Sequence, residues 1–449
     1  MLQWAACSVF EQNISFPDTI SAASHRRTYH TRICFDKMLP RIVIFLFVII
    51  GIDLYAYGAF VSAFGPSTLL TAVYFSVSAL TYISFILYGN YRLRERLQIP
   101  RQLAVAGMFL LFVPKFFISI FLLTEDVFRV IKGGINLFAV EILKYESFQM
   151  GLERSFLLSW VAISFTALLM FAFLYGALFN VYNYKIRKVN LKLIKLPKSF
   201  DGLRVVQISD IHSGSLSDKK AIEKAVQKIN DLRPDLVFFT GDLVNNIAVE
   251  AEGFVDVFSK ISAKHGVYSI LGNHDYGDYM YWQHADDKIK NLAYLKSLHQ
   301  QMGWRLLLNE HVHIEKNNEK IIVAGVENWS ASNRFPKYGK LQKALDGIHD
   351  AFTILLLSHD PSHWKAEIIE HPAQIDVTFS GHTHGMQFGF EFFGIKWSPV
   401  KYFYKQWAGL YEEAGQYLYV NRGFGVIGYP GRVGILPEIT LFTLQSEKK

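Results

Sequence analysis

The sequence predicts a multi-pass α-helical membrane region followed by a layered α/β domain. Four apolar runs of near-bilayer length crowd the first 180 residues. From about Phe200 the chain changes to short β-rich runs alternating with helical segments. Side chains able to hold a metal then recur just after five of those runs.

Composition agrees with this division. The 449 residues are 51% hydrophobic, with 37 Phe and 23 Tyr, which is high for a soluble enzyme but unevenly spread. The net charge of +7 sits mostly beside the apolar runs, so it bears on membrane orientation. No aromatic-interleaved basic stripe or nucleic-acid motif occurs, and no nucleic-acid partner is expected. Cys7 and Cys34 both precede the first apolar run, which excludes a disulfide core or a thiolate metal site in the folded domains.

Residues 1–41 read as a polar leader with Arg26, Arg27, Arg32, Lys37 and Arg41. The Arg26-Arg27 pair is a poor export signal, because further spans follow and no small-residue cleavage site appears. Met38, just before the first span, is an alternative start that leaves 1–37 untranslated. Residues 42–180 hold four expected spans, at about Ile42–Phe64, Ser67–Tyr88, Leu103–Leu123 and Phe156–Phe179. Asp53 lies inside the first, where a carboxylate needs a partner or a polar cavity. Lys115 lies in the third beside Pro114, which suggests a kink. Val127–Leu143 has apolar residues at helical spacing and fits either an interfacial amphipathic helix or a plain connecting one.

Basic residues alternate between the loops. They are dense in 26–41, absent from Gly65-Pro66, and present again as Arg92, Arg94, Arg96 and Arg101. The 124–155 link carries four basic against five acidic residues, and six basic residues follow between Lys185 and Lys198. This pattern puts both termini, and everything after residue 180, in the cytoplasm of a multi-pass cell-membrane protein. Residues 181–199 read as a basic linker, and 200–449 as the folded domain.

In that domain Leu203–Ile208, Leu236–Thr240, Val267–Leu271, Lys320–Val326, Phe352–Leu357, Val377–Phe379, Tyr417–Val420 and Ile439–Thr443 are strand candidates, with a helix at about Asp218–Leu232. The first strand runs into Asp210 and His212, two positions apart; on a strand end such residues point to one side. Phe239-Thr240-Gly241-Asp242 puts a carboxylate at the next tip, with Gly241 permitting close backbone approach. Leu271-Gly272-Asn273-His274-Asp275, Leu357-Ser358-His359-Asp360-Pro361 and Phe379-Ser380-Gly381-His382-Thr383-His384-Gly385 repeat the device. Each fragment alone reads as an ordinary turn or polar loop. Together, five strand ends offering three Asp/Asn oxygens and four His nitrogens exceed one tetrahedral zinc and suit two divalent ions. Mixed O/N donors without sulfur admit Mn, Fe, Zn or Co.

The ordered set D-x-H, G-D, G-N-H-D, a lone His after an apolar strand, and G-H-x-H resembles the calcineurin-like metallophosphoesterase superfamily over about 200–445. The four spans and the ending Asn421-Arg422-Gly423 … Pro437-Glu438-Ile439 resemble its bacterial membrane-associated branch. The resemblance implies a four-layer β-sandwich flanked by helices, with metals at one edge. It implies that Asp210, His212 and His384 hold one metal, that Asn273, His359 and His382 hold the other, and that Asp242 bridges them. It further implies catalysis by a metal-bridging hydroxide with in-line displacement, with His274 contacting the phosphate and protonating the leaving oxygen. The chain departs from the G-D-x-x-D pattern at Asn245, so His274 works through hydrogen bonding or is supported by Asp275 or another carboxylate. Asn245-Asn246 in place of Arg-Gly argues against a protein phosphatase.

The expected function is therefore membrane-bound hydrolysis of a phosphomonoester or phosphodiester, with the bilayer as partner and a lipid or nucleotide-linked lipid as the favoured substrate. The alternative is a membrane sensor or transport-related protein with an inactive phosphoesterase fold. Tyr276, Tyr279, Tyr281 and Trp282 are candidate cleft walls, and the nine aromatics of 388–407 with Lys396, Lys401 and Lys405 suit either an interfacial surface or a packed hairpin. Arg422 and Arg432 read as structural cations before phosphate ligands.

Overall fold

The computed structural model describes residues 44–89, 93, 97, 101–145, 149–348 and 351–447. The leader 1–41 with Met38 and both cysteines, and the orienting residues Arg92, Arg94 and Arg96, lie outside them. The chain divides into two compact units between Leu174 and Tyr175.

Among the described residues four helices are long and apolar enough to cross a bilayer: α1 (Ile44–Phe64), α2 (Thr68–Gly89), α3 (Gln102–Ile142) and α4 (Phe156–Leu178), the last turn of α4 falling in the second unit. Large apolar side chains such as Phe47, Val130 and Leu157 stand exposed on their flanks, as surfaces that meet lipid require. The sequence suggested a break between a third span and a separate helix from Val127. Instead α3 continues unbroken for 41 residues, ending in a π-turn at Phe138–Ile142. At 1.5 Å per residue it is about 60 Å long, roughly twice the hydrocarbon thickness. Glu125 and Asp126, at the expected break, are held by side chains and backbone on either side: Arg154 lies 3.2 Å from the first and 2.9 Å from the second.

Asp53 is buried and fully partnered. Its carboxylate pairs with Lys115 at 2.6 Å and accepts from Ser78 at 2.9 Å, Tyr74 at 3.1 Å and Tyr82 at 2.7 Å. Lys115 also donates to Ser78. This cluster joins α1, α2 and α3, and removing one ion would strand the other at a cost of about 3–5 kcal/mol.

The second unit is built on two six-stranded sheets. The first has the order β1-β14-β2-β3-β4-β5 and the second β12-β13-β9-β8-β7-β6. β1 is Lys185–Leu193, β2 Leu203–Ile208, β3 Leu236–Phe239, β4 Val267–Ser269 and β5 Trp304–Leu306. β6 is Glu310–Lys316, β7 Glu319–Gly325, β8 Ile354–Leu357 and β9 Val377–Ser380. A separate hairpin pairs β10 (Phe390–Phe392) with β11 (Ile395–Trp397). β12 (Gly409–Glu413), β13 (Gln416–Val420) and β14 (Glu438–Ser446) complete the set.

The apolar strands are buried on both faces, and residue parity sorts their side chains between layers. Leu236 and Phe238 face the core between the sheets, with Leu355, Leu357, Val377 and Phe379 from the other sheet. Val237 and Phe239 face outward under helices α5 (Lys219–Asp231) and α6 (Ala285–Gln301). Ile354 and Leu356 line the outer core of the second sheet. Helix, sheet, sheet and helix form the four layers.

The segment read as a basic linker is a correction. Lys185–Leu193 is an edge strand, paired parallel with β14 from Lys185↔Glu438 to Leu193↔Ser446. Leu191 and Leu193 turn inward while Lys188 and Lys192 stay outside, so its charges mark a solvated face.

Candidate metal centre

β2, β3 and β4 run parallel in one sheet, and β7, β8, β9 and β13 in the other. The loops that leave the carboxyl ends of β2, β3, β4, β8 and β9 carry every site residue the sequence nominated. Five of the seven expected donors have left-handed backbone: Asp210 (φ 53), His212 (φ 47), Asp242 (φ 60), His382 (φ 70) and His384 (φ 50). Such conformations cost about 1–3 kcal/mol each and cluster at functional sites. They also correct the reasoning from strand alternation. β2 ends at Ile208, so Asp210 and His212 converge through tight turns beyond the strand.

Glycines make room for these turns. A Cβ on Gly272 would sit 2.2 Å from Asp242 Oδ1, and one on Gly241 (φ 94) would sit 2.5 Å from the Gly272 nitrogen.

Two donor clusters result, one of Asp210, His212 and His384, the other of Asp242, His359 and His382. In the first, His212 Nε2 lies 3.0 Å from His384 Nε2, which lies 3.3 Å from Asp210 Oδ1. In the second, Asn273 Oδ1 lies 2.8 Å from His382 Nδ1 and 3.1 Å from His359 Nε2. Asp242 Oδ2 reaches both, 3.6 Å from His212 Nε2 and 3.2 Å from His359 Nε2. Metal–ligand bonds of about 2.0–2.2 Å separate neighbouring donors by about 3.0–3.5 Å, so these spacings fit divalent ions.

The surroundings decide which side-chain atom each donor turns toward its cluster. His212 Nδ1 lies 3.2 Å from the Val244 carbonyl and His359 Nδ1 lies 2.7 Å from that of Thr240, so each donates there and turns Nε2 toward its cluster. His382 uses the opposite nitrogen, its Nε2 lying 2.8 Å from the Tyr404 hydroxyl, which donates to Asp360. Asn273 Nδ2 donates to Tyr279, turning its oxygen inward. Asp242 Oδ1 accepts from the His274 backbone at 2.8 Å, which fixes Oδ2 between the clusters.

Burial pushes His212 well below the usual imidazole range and lowers His382 and His274. Burial opposes charge on His359 too, but the adjoining Asp242 carboxylate prevails and pushes it up to about 10. Burial likewise opposes ionisation of Asp242, yet the His359 and His274 rings hold it well below the carboxylate range.

The Asn245 departure has a structural answer. His274 Nδ1 donates to the Asn245 backbone carbonyl at 2.7 Å, a contact indifferent to that residue's side chain. Asp275 does not support His274. It accepts from the backbone nitrogens of Asp242, Leu243, Val244 and Gly272, and so holds the Asp242 loop itself. Burial, reinforced by the Asp242 charge, pushes Asp275 up to about 7.

Of the aromatic candidates, Tyr279 packs over His274 with ring centroids 4.5 Å apart, whereas Tyr276 is buried against Tyr338. Tyr281 is exposed, and Trp282 donates to the Gly277 carbonyl. Arg422 pairs with Glu438 and Glu391, and Arg432 binds backbone carbonyls of Arg422, Gly423 and Gly425 and lies 3.4 Å from His384 Nδ1, so the fold already occupies both cations. Tyr404 and Asp360 were missed as partners of His382, because no local pattern links a tyrosine twenty-two residues away to that ring.

Residues 39–181 match the family described as "Probable Calcineurin-like phosphoesterase, transmembrane domain", and residues 203–386 the family "Calcineurin-like phosphoesterase". The uncharacterized metallophosphoesterase YkuE of Bacillus subtilis is 30% identical over 57% of this chain and 84% of its own length. A "Transmembrane protein with metallophosphoesterase domain" of Danio rerio is 30% identical over 65% of this chain, which spans 63% of that relative. Among solved structures, the Haemophilus influenzae NAD nucleotidase is 15% identical, covering 50% of this chain and 51% of its own, with a TM-score of 0.34; so loose a likeness says nothing of substrate.

Proposed function

Because the chain belongs to the calcineurin-like phosphoesterase family, we propose that it is a membrane-bound hydrolase of phosphomonoesters or phosphodiesters that uses two divalent ions. The observation that carries this reading is the placing of Asp242 Oδ2 within 3.6 Å of His212 Nε2 and 3.2 Å of His359 Nε2, one carboxylate oxygen shared by two donor clusters. Asp210, His212 and His384 would hold one ion and Asn273, His359 and His382 the other. When bound, such ions supply Lewis-acid activation of water and neutralise charge on the phosphoryl oxygens.

The protein's own part follows from the contacts. The αL turns hold the donors ready, so little reorganisation is needed on binding. His274, tied through Nδ1–H to the Asn245 carbonyl, keeps Nε2 free. A bound phosphoester brings negative charge to that ring and raises its proton affinity, so His274 becomes charged and donates to the leaving oxygen. The spans tether this chemistry to a bilayer, which favours a lipid-borne phosphoester, and the loop charges favour a cytoplasmic catalytic unit.

The test is turnover of aryl phosphomonoesters and phosphodiesters by purified full-length protein with added Mn²⁺. Hydrolysis should vanish in Asp242→Ala and persist in His284→Ala, an exposed histidine outside the clusters. No turnover with any divalent ion would refute the reading.

A further inference from the structure

We propose that the β10–β11 hairpin, with the short turn that follows it, docks on the surface of an anionic lipid bilayer. The hairpin belongs to neither six-stranded sheet, and two strands alone are marginal in water. Its two-residue turn is Phe393 (φ 46) and Gly394 (φ 79). Asn or Gly suits the first of those positions, whereas a phenylalanine there is strained. That phenylalanine is also 89% exposed, with Phe392 at 67% and Ile395 at 66% beside it. The tip thus serves neither its turn nor a core. Tyr402 and Phe403, in the following turn, are exposed as well. Aromatic and aliphatic side chains of this kind enter the headgroup region of a bilayer.

Charge and position single out the lipid surface as occupant. The hairpin's Glu391 is neutralised by Arg187 and by Arg422, 2.5 Å away. Lys401 and Lys405 remain exposed, and lysines so placed are attracted to an anionic leaflet. The base of the hairpin is bound to the strap that receives the end of α4. Arg432 donates to the Gly176 carbonyl at 3.1 Å, and Asn180 donates to the Arg432 carbonyl at 3.0 Å. The next residue, Val433, accepts from Gly389 at 2.9 Å. The hairpin is therefore anchored where the fourth span ends, at Leu178. The chain that leaves this turn carries Tyr404, the partner of His382.

The experiment uses the full chain, with Cys7→Ser and Cys34→Ser, in nanodiscs containing phosphatidylglycerol. A nitroxide is placed at Phe393→Cys or, with both phenylalanines intact, at Ile395→Cys, and at exposed Lys228→Cys as reference. Collisions with lipid-soluble oxygen and a water-soluble nickel chelate are compared. Both hairpin labels should meet the chelate about tenfold less than the reference while oxygen reaches them freely. Lys401→Gln with Lys405→Gln, or phosphatidylcholine alone, should shift them toward water. Hairpin labels as open to the chelate as the reference would overturn the proposal. Protection from both reagents at the mass of a dimer would also overturn it, showing that a second copy covers the tip. No turnover is read, so failure here leaves the hydrolytic reading standing, and the reverse holds too.

Discussion

His274 and His359 show how neighbours set the task of an imidazole. The Asn245 carbonyl fixes the tautomer of His274, and burial keeps that ring neutral until negative charge arrives. His274→Gln should therefore lower kcat by about 10²–10⁴-fold, with a larger loss for alkyl than for nitrophenyl esters, because only the poor leaving group needs the proton. Equal losses would show that the ring only positions substrate. His359 is the opposite case. Asp242 holds its proton up to about 10, and a ligating imidazole must be neutral. Ion binding thus releases that proton throughout pH 6.5–9, and apparent affinity should rise about tenfold per pH unit. Calorimetry in buffers of differing ionisation enthalpy measures the release; affinity independent of pH would contradict it.

At the scale of elements, the loops matter more than the strands. The nominated donors could be listed from the sequence because each follows an apolar run, yet the means of their convergence could not. Local alternation suggested a strand tip, whereas the left-handed turn at Asp242 depends on Asp275 accepting from its backbone, and the turn at Asp210 and His212 on donating to the Gly241 and Asp242 carbonyls. Only Gly241 signalled that closeness. Gly272→Ala, which changes no donor, should force Asp242 aside and weaken ion binding by about 10–100-fold while leaving the fold's circular dichroism intact. Unchanged binding would show that the loop has slack. β1 was invisible for another reason: its charges masked a two-residue alternation completed only by pairing with a strand some 250 residues later.

At the scale of the whole molecule, membrane helices and catalytic fold were both legible, because length and apolarity decide the first and motif order the second. What held the helices together was not. Asp53 and Lys115 lie sixty-two positions apart, and only folding shows that they meet at 2.6 Å with three hydroxyls completing the cluster. A carboxylate so fully partnered locks three helices together and gives the transport alternative no support. The central claim is that seven donors from five loops hold two divalent ions. Its most direct test is the metal content of purified full-length protein after metal stripping, Mn²⁺ reloading and dialysis, measured by plasma mass spectrometry. Wild type should hold two equivalents per chain. Asp242→Ala should lose most of both and Asn273→Ala mainly one. A single equivalent in wild type, or two retained in Asp242→Ala, would contradict the account.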